Sequence, residues 1–123
     1  MFGKIYRPVA EVLIKSKHGK WYQSFMYIDS GADISLIPRQ MGESLGLDLD
    51  KNKIQEVKGI GERAVPVIIS DVILKIGKME FDSKVAVSLI EEVPLILGRT
   101  DVFDKFLINF DQKNKIVTFV SKD

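Results

Sequence analysis

Short runs of β-branched, aromatic and alternating apolar residues, each ended by glycine or a polar cluster, make up most of this chain. That pattern predicts many short strands. Val9 to Ile14 and Trp21 to Ile28 flank Lys17-His18-Gly19-Lys20, which reads as a hairpin turn, and Ser35 to Pro38 reads as a further short strand. Beyond Pro38, the stretch Arg39 to Leu45 sets Met41 and Leu45 on one face of a short helix, with Gly46 as its stop. From Lys53 the strand pattern returns: Ile54 to Lys58, a Gly59-Ile60-Gly61 turn, then Val65 to Ile76 with a kink at Ser70-Asp71. Gly77-Lys78 separates that run from Met79 to Leu89, where Phe81, Val85 and Val87 are the inward-facing candidates. Val93 to Leu97 is an unbroken apolar strand, buried on both faces if the pattern is taken literally. Thr100 is placed to cap a second short helix whose Val102, Phe103 and Phe106 share a face. Leu107 to Phe110 and Ile116 to Val120, joined by the polar Asp111 to Lys115 turn, form a closing hairpin.

Many strands with one or two short helices predict a mostly-β barrel or sandwich-like fold. No linker, low-complexity segment or internal repeat interrupts the 123 residues, so residues 1–123 are read as a single domain. Apolar residues on both faces of the 107–120 hairpin suit a segment buried against a second subunit.

Composition narrows the chemistry. With 28% charged and 46% apolar residues the chain is neither a disordered segment nor a membrane protein. The net charge is +1 and the basic residues are interspersed with acids, which gives a nucleic-acid partner no electrostatic support. There is no cysteine, hence no disulfide, thiolate nucleophile or Cys-based metal site. A single histidine, His18, sits in a predicted polar turn, which excludes a His-rich zinc site and argues against a Ser-His-Asp hydrolase. No cofactor or metal is expected, and the chemistry falls to carboxylates. Met1 to Arg7 lacks the apolar run of a signal peptide, and no apolar run approaches the ~20 residues of a membrane span. The expectation is a cytoplasmic protein without a membrane partner.

One stretch carries a candidate site. Phe25-Met26-Tyr27-Ile28-Asp29-Ser30-Gly31-Ala32-Asp33-Ile34-Ser35-Leu36-Ile37-Pro38 is an apolar strand ending in an acid on a tight turn, followed by a second strand. Such an acid sits at the strand's mouth with the Ser30 and Gly31 N–H groups in reach, while Gly31 leaves room for another chain. The residues alone leave a plainer reading open, in which Asp29 is a turn aspartate satisfying backbone donors. Gly59-Ile60-Gly61 alone reads as a hairpin turn, and Asp33 and Arg99 as surface charges.

Asp29-Ser30-Gly31-Ala32 resembles the active-site signature of the retroviral-type, or retropepsin-like, aspartic proteases, an apolar pair followed by Asp-Thr/Ser-Gly-Ala. Pro94-Leu95-Ile96-Leu97-Gly98-Arg99 resembles that family's second signature, and Gly59-Ile60-Gly61 stands between the two where the flap tip falls. Departures are Ser30 for the commoner Thr, a flap with fewer glycines, and a longer C-terminal hairpin.

The resemblance implies an acid-protease barrel assembled as a homodimer. The chemistry needs two carboxyl groups in contact, and the chain holds one Asp-Ser-Gly, so the partner copy must supply the second. It also implies roles. Asp29 is catalytic, and Ser30, Gly31, Asp33 and Arg99 support it, the last two as an ion pair. Ala32, Ile34, Pro94 and Ile96 wall the substrate cleft, and Gly59, Ile60 and Gly61 cover a bound peptide. The function so implied is an aspartic endopeptidase acting on peptide or protein substrate. The alternative is a non-catalytic dimeric peptide-binding or dimerisation module on the same fold, because alignment of the acids to within ~0.5 Å decides catalysis.

Overall fold

The computed structural model describes residues 8–58 and 64–122. The expected Gly59-Ile60-Gly61 turn and the Met1 to Arg7 segment lie outside the described residues. Strands β1 (Val9–Lys15) and β2 (Trp21–Ile28) pair as an antiparallel hairpin, followed by β3 (Ser35–Ile37) and the helix α1 (Arg39–Ser44). Next come a single 3-10 turn at Lys51–Lys53 and strands β4 (Gln55–Lys58), β5 (Ala64–Ile76) and β6 (Met79–Ser88). The chain closes with the two-residue β7 (Ile96–Leu97) and the hairpin β8 (Phe106–Asp111) and β9 (Ile116–Ser121).

Among the described residues seven strands form one sheet in the order β1-β2-β7-β3-β6-β5-β4, and a further pairing of β1 with β5 closes it into a barrel. Strict alternation builds the barrel wall: in β2, Ser24, Met26 and Ile28 are buried while Gln23, Phe25 and Tyr27 face out. The same period sends Ala10, Val12 and Ile14 of β1 and Val72, Leu74 and Ile76 of β5 into the core, where they meet Phe81, Val85 and Val87. A second, smaller cluster holds Leu36, Val65, Val67, Ala86 and Ile96. β5 serves both clusters. Its odd positions 65 and 67 face the smaller one and its even positions 72, 74 and 76 the larger.

The expected kink at Ser70-Asp71 is therefore a change of buried face and not a break. β5 pairs with β6 without interruption from Val67 to Ile76. Met41 and Leu45 of the helical segment pack on the core as predicted, and Gly46 ends it at φ +73°. The first turn of α1 lacks a side-chain cap of its own. Its Gln40 N–H donates instead to Glu91 Oε2 at 2.9 Å, from the loop after β6.

Two expectations are corrected. Only Ile96 and Leu97 of the Val93 to Leu97 run form a strand, and Val93, Pro94 and Leu95 are half-buried irregular chain. No second helix follows Thr100. Residues 100–105 are successive turns in which Asp101 adopts φ +67°, a conformation that no α-helix accommodates. Val102 and Phe106 are nonetheless buried as foreseen, since the turns bring them to the same side. The 106–121 hairpin docks through Phe106, whose ring meets Phe81 at 5.6 Å and Phe119 at 5.5 Å, both edge-on. Among the described residues no helix is long and apolar enough to cross a membrane.

Candidate active site

β2 ends at Ile28 because the chain turns sharply at Asp29. The turn is held by its own aspartate: Asp29 Oδ1 accepts the Gly31 N–H at 2.9 Å, and the Asp29 carbonyl accepts the Ala32 N–H at 3.2 Å. Of the two amides expected to face the carboxylate, only that of Gly31 bonds to it. An aspartate naturally bonds the amide two residues on. A Cβ at position 31 would lie 3.2 Å from that same oxygen, so glycine keeps the carboxylate uncrowded.

The turn is fastened to β7 and to the residues on either side of it. Tyr27 N–H donates to the Leu95 carbonyl at 2.9 Å, and Asp29 N–H to the Leu97 carbonyl at 3.1 Å. Past β7, Arg99 N–H donates to the Ala32 carbonyl at 3.0 Å and Thr100 N–H to the Asp33 carbonyl at 2.8 Å. The Thr100 hydroxyl donates to that same Asp33 oxygen at 2.5 Å, so Thr100 ties down the aspartate loop and caps no helix. Gly98 passes directly over Ile34: a Cβ on Gly98 would fall 2.5 Å from the Ile34 carbonyl carbon, which no side chain could occupy. Gly98 N–H donates to Ser35 Oγ at 3.0 Å inside the protein.

Sequence reading missed the Ser35 contact. Its signal was a hydroxyl at a fully buried strand position beside Leu36 and Ile37, where a polar group needs a specific partner.

Asp33 and Arg99, read in sequence as a supporting pair, form an ion pair through Asp33 Oδ1 and Arg99 Nη2. Their side chains are 82% and 55% exposed, so the pair adds little to the stability of the fold. Ser30 and Gly31 are exposed, and Asp29 is half-buried. Asp29, Tyr27, Ile28 and Ile96 line an open recess of about 190 Å³. Ala32 and Ile34 pack with Ile96 in the smaller cluster, together with Val57, Val65 and Val67 from the β4–β5 hairpin. Pro94 is half-buried beside Leu95 and Ile96, while Gly59, Ile60 and Gly61 lie outside the described residues.

One copy of the chain thus presents a carboxylate held by backbone bonds at the edge of an open recess. Such a group can accept or donate one proton. Among the described residues no group of three or more His, Cys, Asp or Glu side chains converges on a metal-sized site.

The fold is similar to that of several solved structures. EIAV protease, determined in complex with the inhibitor HBY-793, aligns over 85% of this chain and 92% of its own at 22% identity and a TM-score of 0.62. The retroviral protease-like domain of Ddi1 from Leishmania major aligns over 94% and 90% at 16% identity and 0.64. A retropepsin-like aspartic protease from Rickettsia conorii aligns over 93% and 89% at 18% identity and 0.63. At these identities the likeness establishes a retropepsin-like fold. No curated protein matches the sequence. The aspartyl protease family pattern matches residues 23–100, from within β2 through the Asp29 turn to Thr100, and the chain belongs to that family.

Proposed function

We propose that two copies of this chain join as a homodimeric aspartic endopeptidase, with one Asp29 from each forming the catalytic pair. The observation that carries the reading is the Asp29 turn. Its carboxylate is fixed by the Gly31 amide and by backbone bonds to the strand beside it, yet it opens into a recess. Two carboxyl groups brought together share one proton, since both cannot ionise cheaply at contact distance. The ionised one takes a proton from a water held between them, and the protonated one donates to the scissile carbonyl. The resulting hydroxyl oxygen bonds to the carbonyl carbon, the C–N bond then breaks, and the amide nitrogen leaves with a proton returned by the pair. A shared proton favours mildly acidic conditions.

The remaining residues take roles by position. Ser30, whose hydroxyl has no partner among the described residues, is exposed beside Asp29 and reaches toward the second copy. Gly31 leaves space for the substrate backbone, and the Asp33–Arg99 pair steadies the loop. Ala32, Ile34, Pro94 and Ile96 wall an apolar cleft, and Gly59, Ile60 and Gly61 close over an extended peptide that binds as an added strand. The 107–120 hairpin supplies dimer contact. Its inner face is spent on the core through Phe106 and Phe119, while Leu107, Ile116 and Val120 on the outer face remain 55%, 54% and 45% exposed.

Replacing Asp29 by Asn tests the reading. The expected outcome is a loss of peptide cleavage of at least ~10³-fold with dimerisation unchanged by sedimentation. A dimeric variant that cleaves at the wild-type rate would falsify it. A wild type that dimerises but neither cleaves peptides nor binds a statine-type transition-state mimic would favour the non-catalytic module.

A further inference from the structure

The end of β2 remote from Asp29 carries an arrangement that the peptidase reading does not use. Trp21, the first residue of the strand, is half-buried in the outward register of Gln23, Phe25 and Tyr27, about 25 Å along the strand from Asp29 at ~3.3 Å per residue. Lys15 Nζ lies 5.7 Å from its ring centroid and Lys75 Nζ 5.9 Å. The strand register delivers both: Lys15 is directly opposite Trp21, and Lys75 is opposite Leu13, two residues before Lys15. The indole face attracts each ammonium group, but two cations on one ring repel each other.

Neither lysine forms an ion pair among the described residues. Glu80, opposite Lys75 across β5 and β6, makes no ion pair with it, and other acids nearby are engaged elsewhere. Lys17 Nζ donates to the Asp71 carbonyl at 3.1 Å, and Lys84 holds the Asp71 carboxylate at 2.8 Å. Glu11 accepts from Gln23 at 2.9 Å. From Val12 to Ile28 the chain has three lysines and a histidine but no acid. The β1–β2 hairpin is therefore locally basic in a protein whose net charge is only +1.

We propose that Lys15, Trp21 and Lys75 form a docking surface for an acidic segment of another protein, with its carboxylates neutralising the two lysines that flank the indole. An acidic peptide fits better than single-stranded nucleic acid. The ammonium groups occupy the ring positions that a stacked base would need. The exposed carboxylates of Glu11, Glu80 and Asp82 on the same outer surface interrupt any long phosphate track and leave room for a short run of carboxylates. Because the patch is distant from the recess, an occupant leaves Asp29 open, and the surface can hold a substrate or a regulator while the cleft is in use.

Trp21 is the chain's only tryptophan, so its fluorescence reports on this patch directly. The whole chain is titrated with hexaglutamate, hexaglutamine and a deoxythymidine decamer. The expected result is a saturable change in emission with hexaglutamate alone, weakening from about 50 to about 300 mM salt. In the Lys15→Gln/Lys75→Gln variant the affinity should fall at least about fivefold, while Lys17→Gln/Lys20→Gln, with the same loss of charge, should retain it. If the first variant fails to fold by circular dichroism, Lys75→Gln alone serves, with a smaller fall expected. The proposal is overturned by no saturable response to hexaglutamate up to about 1 mM, by equal affinity in the two double variants, or by tighter binding of the decamer. None of these outcomes depends on peptide cleavage.

Discussion

Around Asp29 the backbone does the holding, whereas along β8 and β9 the side chains do. Residues 29–35 are tied to residues 97–100 by amide and hydroxyl bonds, and Gly98 crosses Ile34 with no space for a methyl group. The hairpin keeps its place through the rings of Phe106 and Phe119 and leaves Leu107, Ile116 and Val120 in water. The difference teaches where change is tolerated. A geometry set by close backbone approach cannot adjust to an added atom, while a surface set by side-chain packing can be altered without unfolding what lies beneath.

The harshest way to break this contrast is Gly98→Ala. The new methyl would meet Ile34 backbone atoms at less than 3 Å, and the loop cannot move without losing its bonds to Arg99 and Thr100. The expected cost is at least about 3 kcal/mol in urea denaturation. A cost under about 1 kcal/mol would mean that the crossing is looser than described. On the other side of the comparison, Leu107→Glu places a charge on the exposed face of the hairpin opposite Val120. It should weaken dimerisation by about tenfold or more in sedimentation, with the far-ultraviolet dichroism unchanged. A variant that dimerises as well as the wild type would place the interface elsewhere. The mildest probe is Ser35→Ala, which leaves the buried Gly98 N–H without its acceptor. It should cost about 1–2 kcal/mol by denaturation and lower cleavage by disturbing the loop.

The alternation of Trp21 to Ile28 made β2 legible, because a wall with one buried face writes its period into the sequence. The Asp29 turn was legible for another reason: aspartate followed by glycine two residues on is a local motif whose hydrogen bond closes within the motif. What escaped was long-range. Glu91 caps α1 from fifty-one residues away, and Ser35 meets Gly98 across sixty-three. No local pattern announces such partners. The helix expected after Thr100 failed because Val102, Phe103 and Phe106 satisfy a helical period equally well when successive turns carry them. The deciding facts were the hydroxyl of Thr100, already taken by Asp33, and the positive φ of Asp101. The Lys15–Trp21–Lys75 cluster was likewise hidden, since Lys75 reaches Trp21 only through the β1–β5 closure of the barrel.

The central claim is that one active site is made from two chains. Wild-type and Asp29→Asn chains, mixed in equal amounts, unfolded and refolded together, assort at random into dimers. If each site needs Asp29 from both copies, peptide cleavage at fixed total protein should fall to about a quarter of the pure wild-type rate. A rate of about one half, the value for sites that act within single chains, would contradict the account.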